Sequence, residues 1–493
     1  MSLMELKSGS DIRGTAVGEK NQLTDEVVRK LALAFSVLLS EKTGKETASL
    51  SIAIGHDVRI SSERIKNAAV AAFTDRGVTV YDCGLSSTPA MFMTTLKLPI
   101  DGAVQITASH HPYDKNGLKY FTKEGGLSGK DIERIIKTAE SLPETMVKAE
   151  GKIIKTDFMK DYAADLRKMI IAGLPGGGDK PLSGLKIVVD AGNGVGGFYA
   201  YDVLEPLGAD ISGSQFLEPD GYFPNHTPNP ENADAIKSVS EATVKAKADL
   251  GIIFDTDVDR AACVDESGEE INRNRLVALA SAIVLKDNEG GTIVTDSVTS
   301  DGLKKFIENK LKGKHHRFKR GYKNVIDEAI RLNNEGINAP LAIETSGHAA
   351  FRENYFLDDG AYLITKIIIL MSSLKKEGKT LLSVISDLEE PAEAKEIRIG
   401  IKESDFKSYG EKVISDLIAL AEKNANWKLA DDNYEGVRVS VNGGEGWFLL
   451  RLSVHDPLLV LNLESAKEGC IPKYAEEIKT FFEQYPSLDL SKF

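Results

Sequence analysis

The chain has 493 residues, with 61 Lys and Arg against 74 Asp and Glu, a net charge of −13. Such an acidic balance excludes general nucleic-acid or anionic-membrane binding, both of which draw affinity from clustered cations, and leaves room only for a local basic pocket. With 42% hydrophobic and 27% charged residues it has the make-up of a globular protein with several cores. Cys83, Cys263 and Cys470 are widely spaced and form no C-x-x-C pair, so neither a disulfide framework nor a zinc knuckle is expected. The start, Met1-Ser2-Leu3-Met4-Glu5, carries no basic-then-apolar leader. The apolar stretch near Leu363–Met371 falls short of the roughly 20 residues that span a bilayer. A cytoplasmic protein is expected.

Strands and helices alternate through most of the chain. Val28, Leu31, Phe35 and Leu38 stand at helical spacing within 27–39, with Thr24 and Asp25 as candidate caps. A short strand at 51–55, a helix at 61–73 opened by two serines, and a strand at 78–82 follow. The apolar run Gly102–Ile106 reads as a buried strand. A helical pattern over 158–174 runs into Pro175-Gly176-Gly177-Gly178, and strands resume at 185–190 and 250–254, with a helix expected over 198–207 between them. A third unit begins near 291–295 and carries a helix at 301–311 and a strand at 341–343. After Pro391 the style changes: 395–401, 436–441, 447–452 and 458–464 read as a one-sided antiparallel sheet with helices on one face. The fold class is therefore α/β, with three units of mostly parallel sheet and a C-terminal α+β unit. The expected divisions are 1–165, 166–272, 273–392 and 393–493.

Chemistry-bearing residues gather beyond the carboxyl ends of these strands, where ligands bind in open α/β sheets. Thr107-Ala108-Ser109-His110-His111-Pro112 follows the 102–106 strand and sets a hydroxyl among imidazoles, with Lys119 ten residues beyond Ser109. Asp255-Thr256-Asp257-Val258-Asp259-Arg260 follows the 250–254 strand, and its three carboxylates can converge on one hard divalent cation. An EF-hand is excluded, because Arg260 stands where that loop needs glycine and strands flank it. A phosphatase using Asp255 as nucleophile is the competing use of this loop. Gly192-Asn193-Gly194-Val195-Gly196-Gly197 matches G-x-G-x-x-G, but Asp210 precedes its strand instead of ending it, so a tight strand-to-helix turn is the better reading than a dinucleotide site. Glu344-Thr345-Ser346-Gly347-His348 offers donors and acceptors suited to sugar hydroxyls. Lys319-Arg320-Gly321-Tyr322-Lys323 is a candidate phosphate clamp, and Arg451-Leu452-Ser453-Val454-His455-Asp456-Pro457 a second anion site.

In this order the motifs resemble those of the α-D-phosphohexomutase family, the phosphoglucomutase and phosphomannomutase group, over nearly the whole chain. The Ser109 loop is similar to the family's T-A-S-H-N/H-P phosphoserine loop, and 255–260 to its D-G-D-x-D-R magnesium loop. Glu344–His348 is similar to G-E-x-S-G-H, and Ser10-Asp11-Ile12-Arg13-Gly14 to Y-D-I-R-G. The resemblance implies a four-domain plan around a central cleft. It implies reversible phosphoryl transfer between O1 and O6 of glucose or mannose phosphate, through a phosphoserine at Ser109 and a 1,6-bisphosphate. It further implies Mg²⁺ on Ser109, Asp255, Asp257 and Asp259, catalytic roles for His110, Lys119 and Arg260, and glucose 1,6-bisphosphate (or the matching hexose bisphosphate) as activator. Lys119 as a base would need cationic neighbours to lower its pKa. Substrate contacts would come from Arg13, Arg320, Gly321, Lys323, Glu344, Ser346, His348, Arg451, Ser453 and His455. Val454, His455 and Asp456 depart from the family's R-x-S-N-T-E-P, with His455 as a substitute donor. The expected partner is a hexose phosphate, with no nucleic acid and no membrane, and the assembly a monomer or homodimer. Phosphoglucosamine mutase, the Mg-dependent phosphatase and a non-catalytic sugar-phosphate binder stay open as alternatives.

Overall fold

A computed structural model describes residues 2–142, 149–453 and 456–493 of the chain. They form two compact units, 1–276 with 346–384, and 277–345 with 385–493.

The first unit is built on an eight-stranded mixed sheet and a four-stranded one. In the larger, Gly102–Ile106, Ser51–His56, Thr79–Leu85 and Lys152–Lys155 run parallel, while Lys115–Thr122 returns antiparallel beside Gly102–Ile106. That return places Lys119 opposite Gln105, next to the chain's exit into the Ser109 loop. Asp25–Thr43 is helical because Thr24 accepts the Val27 N–H at 3.3 Å, acidic residues fill the first turn and Gly44 ends it in the left-handed region at φ 71°. Its apolar face, Val28, Leu31, Phe35, Leu38 and Leu39, is buried. Phe35 and Leu39 lie so close to Gly102 that a Cβ there would meet both at 2.9 Å. The helix Ser62–Thr74 is not capped by serine side chains as the sequence suggested: Ser62 donates to Asp57 at 2.8 Å, and both Ser61 and Ser62 receive the Asn116 amide. These hydroxyls tie the helix start to the Ser109 loop's flanks.

In the four-stranded sheet, Ile187–Asp190 and Leu250–Phe254 pair in parallel, and Leu250–Phe254 turns antiparallel into Ala261–Asp265. The helix expected at 198–207 is wound as a π turn over Tyr199–Leu204 and a 3₁₀ turn over Glu205–Leu207, with Pro206 in the latter. Proline lacks the N–H that an α-helix would use there.

The second unit carries a parallel trio, Lys314–Arg317, Thr292–Thr295 and Leu341–Ile343, and a six-stranded antiparallel sheet. The expected helix at 301–311 is α only over Asp301–Lys305 and continues as a π turn over Phe306–Lys310. In the antiparallel sheet one face buries Ile397, Ile399, Val439, Phe448, Leu450 and Leu461 against Val413 and Leu417 of the helix Phe406–Ala421 and Ile478 and Phe482 of Ile471–Phe482. The helices lie on one face as expected, but the other face is not left to solvent: Trp447, Leu449 and Val460 are buried on it, and Arg438 there donates to the Ser297 carbonyl at 3.0 Å and to Asp301 at 2.9 Å. Among the described residues no helix is long and apolar enough to cross a membrane, and Cys83, Cys263 and Cys470 are free and buried.

Candidate active site

The Ser109 loop leaves the Gly102–Ile106 strand, and Arg59 gathers it. This guanidinium donates to the carbonyls of Ser109, His111 (2.6 Å), Pro112 (2.7 Å) and Lys115 (3.0 Å). Arg59 is paired at 3.1 Å with Asp57, and neither side chain is exposed. Held this way, Ser109 adopts φ 50°, left-handed for a non-glycine, a strain that surrounding contacts must sustain. Thr107 receives the Ser109 N–H at 2.9 Å.

The acidic loop is a tight connection between two antiparallel strands, closed by Asp255 N–H to the Arg260 carbonyl at 3.2 Å. Val258 sits at φ 68° within it, unfavourable for a β-branched residue. Thr88, at the start of the helix Thr88–Lys97, bonds Asp257 through both its hydroxyl and its N–H. The loop is thus fixed from outside as well as from its own ends.

The two loops meet. Ser109 Oγ donates to Asp255 Oδ2 at 2.8 Å across 146 residues of sequence, and accepts from Arg260 Nη2 at 3.0 Å. The same Nη2 donates to His110 Nδ1 at 2.6 Å. His110 is therefore a neutral imidazole with Nδ1 as acceptor, and burial and the Arg260 charge hold its pKa far below the ordinary histidine value. Burial, with the charges of Asp259 and Asp257, pushes the Asp255 carboxyl well above the usual range. Asp259 goes the other way: burial opposes its charge, but Lys119, His348 and Arg260 hold it well below that range. Lys119 bonds Asp259 and lies 3.5 Å from Asp257. Carboxylates thus border the lysine that the sequence reading set among cations. His348 bonds Asp358 through Nδ1; burial works against its charge, yet Asp358 and Asp259 lift its pKa to about 9.

Ligating oxygens of Asp255, Asp257 and Asp259 lie within 4.8 Å of one another, and all three residues are buried. Asp257 Oδ1 and Asp259 Oδ1 are buried without a hydrogen-bond partner. A buried carboxylate oxygen with nothing to accept is costly, and hard oxygen donors at this spacing suit a divalent cation such as Mg²⁺. The residues fit such a cation.

The other expected residues divide between the two units. In the first, Arg13 pairs with Asp11 at 2.9 Å, and Ser346 Oγ is buried without a partner. In the second, Glu344 accepts the Gly321 N–H at 2.6 Å, Arg320 N–H reaches Glu435 at 3.1 Å, and Lys323 bonds Asp327. Burial lowers the Arg451 pKa while Glu435 supports its charge and Arg320 opposes it, so these three lie within electrostatic reach. Ser453 Oγ accepts the Asp456 N–H at 3.2 Å; Val454 and His455 lie outside the described residues. Gly192-Gly197 is the expected tight turn: a Cβ on Gly197 would lie 2.2 Å from the Leu217 carbonyl oxygen. Sequence reasoning missed Asp57, Arg59, Thr88, Asp358 and Glu435. Asp57-Val58-Arg59, placed just beyond the Ser51–His56 strand, was the one available signal.

Three family models match in succession: phosphoglucomutase/phosphomannomutase alpha/beta/alpha domain I over residues 4–144, domain II over 162–268 and domain III over 272–391. A phosphoglucomutase of Neisseria meningitidis is 29% identical over 479 residues, 97% of this chain and 96% of that one. A phosphomannomutase/phosphoglucomutase of Pseudomonas syringae is 29% identical over 422 residues, 85% of this chain and 84% of that one. A solved phosphoglucomutase/phosphomannomutase family protein of Burkholderia thailandensis matches 100% of both chains with a TM-score of 0.82 and 25% identity.

Proposed function

The chain belongs to the phosphoglucomutase/phosphomannomutase family, and from that premise we propose that it moves a phosphoryl group between O1 and O6 of a hexose phosphate with Ser109 as the carrier. The observation that carries this reading is the 2.8 Å bond between Ser109 Oγ and Asp255, inside a buried trio of carboxylates.

In the charged enzyme Ser109 bears the phosphoryl group. Its Oγ–P bond breaks as the free sugar hydroxyl bonds to phosphorus. In net terms the sugar hydroxyl loses a proton and Ser109 gains one, with Lys119 as the proposed carrier. Arg260, 3.0 Å from Oγ, offsets the charge left on the serine oxygen. The bisphosphate then turns over, and its other phosphoryl returns to Ser109. Asp255, Asp257, Asp259 and the Ser109 oxygen would hold Mg²⁺, which supplies positive charge against the transferring group's oxygens. Lys119, bonded to Asp259 and 3.5 Å from Asp257, stands at the acidic loop for that proton transfer. His110, as a neutral acceptor, keeps Arg260 aimed at Ser109. Arg13, Glu344, Ser346 and His348 are proposed sugar contacts, and Arg320, Gly321, Lys323, Arg451 and Ser453 contacts to the distal phosphate. The hexose bisphosphate is the proposed primer of Ser109.

The test supplies glucose 1-phosphate, Mg²⁺ and a trace of glucose 1,6-bisphosphate and follows glucose 6-phosphate. Turnover should vanish in Ser109→Ala. Release of free phosphate at equal rates in wild type and Ser109→Ala would overturn the carrier role in favour of Asp255 as nucleophile. Mannose and glucosamine phosphates in the same assay decide the sugar.

A further inference from the structure

Behind the acidic loop lies a buried cluster that the reaction as described does not use. Asp190 ends the Ile187–Asp190 strand and is fully buried. Its Oδ1 receives the Gly192 N–H at 2.9 Å and faces His226 Nε2 at 2.9 Å; its Oδ2 receives Gln215 at 2.8 Å and Ser238 at 3.1 Å. The other His226 ring nitrogen, Nδ1, faces the Thr227 carbonyl at 3.0 Å. Acceptors at both ring nitrogens suit a ring that carries two N–H donors, the imidazolium. Burial opposes that charge, but the bond to Asp190 raises its pKa.

Two arms run from this pair to the site. Along the first, the turn after Asp190 passes through Gly192 at φ 52° and Asn193 at φ 61°. There Val195 N–H meets the carbonyl of Thr256, between the ligands Asp255 and Asp257, at 2.8 Å. Gly194 packs so closely that a Cβ would lie 2.8 Å from the same oxygen. Asn193 also grips the neighbouring loop, donating to the Glu218 carbonyl at 2.9 Å and accepting from Asn225 at 2.7 Å. Along the second arm, Asn229 N–H bonds the Thr227 carbonyl at 2.8 Å, and its Oδ1 accepts Arg260 Nη1 at 3.2 Å.

We propose that the Asp190–His226 ion pair is a positioning device for the reaction, locking the 191–195 turn against the acidic loop and the 226–229 segment against Arg260. It deepens the function proposed above and rests on that reading of Ser109 and the acidic loop. The G-x-G-x-x-G run then has a use: its middle glycine, Gly194, lets the backbone approach Thr256.

The experiment uses the full chain and Mn²⁺ alone as probe. His226→Gln keeps a donor toward Asp190 but loses the charge. Mn²⁺ affinity by calorimetry should fall about tenfold, the range expected when a group that orients ligands is removed. The rate constant kcat should fall with it, while KM for glucose 1-phosphate stays within about twofold, since the sugar and distal-phosphate contacts are unaltered. ¹⁵N-histidine spectra of wild type should show both His226 ring nitrogens protonated at neutral pH. Should His226→Gln not fold, Asn229→Ala cuts the arm to Arg260, together with the Asn229 bond to the Glu231 N–H at 3.0 Å, and should lower kcat while leaving Mn²⁺ affinity near the wild-type value. A neutral His226, or folded variants with wild-type Mn²⁺ affinity and kcat, overturns the proposal. Wild type that binds Mn²⁺ but has no mutase turnover counts instead against the function itself.

Discussion

Replacing Arg59 by methionine tests whether a buried guanidinium, and not the loop's own sequence, holds Ser109 in its strained conformation. The structure gives Arg59 four carbonyl acceptors on the loop, those of Ser109, His111, Pro112 and Lys115, besides its 3.1 Å pair with Asp57. Breaking a buried ion pair by removing one partner costs about 3–5 kcal/mol, because the other charge is left stranded. The four carbonyls regain water in part as the loop loosens, so their loss adds less than the roughly 1.5–3 kcal/mol each that charged hydrogen bonds carry. An expected cost of about 4 kcal/mol falls on the first unfolding transition, read by urea titration. The double variant Asp57→Asn, Arg59→Met removes the stranded charge and should recover about half of that cost. Phosphoryl transfer should fall at least about 100-fold in the folded single variant, since roughly 2.7 kcal/mol of lost preorganisation suffices. A single variant less than about 1 kcal/mol destabilised, or a double variant as unstable as the two singles summed, would refute the reasoning.

Other consequences are simpler to read. His348, lifted to about 9 while the unfolded imidazole titrates near 6.5, contributes stability that is full below the lower value and lost as pH rises through the higher. Burial raises the Asp358 pKa too, so the pair shares one proton, and the Nδ1 bond rests it on the histidine. The melting temperature of wild type should fall between about pH 6.5 and 9 in a slope that His348→Gln lacks. Phe35→Ala opens a void against Gly102 and should cost about 3–5 kcal/mol in urea unfolding without altering the KM of refolded enzyme. Glu435 takes the Arg320 N–H and the Ser297 hydroxyl, positions that a phosphate oxygen would claim. Glu435→Gln should therefore lower KM for the sugar phosphate a few-fold, and an unchanged or raised KM would show that the carboxylate does not compete.

Much of the architecture was legible because local pattern and burial coincide. The Asp25–Thr43 helix has its cap, its charged first turn, its apolar stripe and its terminal glycine in consecutive sequence, and the alternation of the tail strands marks the face that takes the helices, but not the burial of the opposite face. Where backbone hydrogen bonding departed from the α pattern, as at Tyr199–Leu204 and Phe306–Lys310, side-chain periodicity could not register it. Ser109 and the three aspartates were visible as candidates because each loop follows a buried strand, where polar residues have no local reason to cluster.

What the sequence settled by itself was therefore which groups are chemically capable: a hydroxyl among imidazoles after a buried strand, a trio of acids, a lysine and an arginine. What those groups are was decided by proximity alone. Asp255 is protonation-prone and Asp259 firmly ionised, although both stand in one six-residue loop, because Lys119 and His348 come to one and not the other from distant strands. Electrostatic energies scale inversely with distance and rise steeply when water is excluded, so charge states belong to the packed molecule and not to the order of its residues.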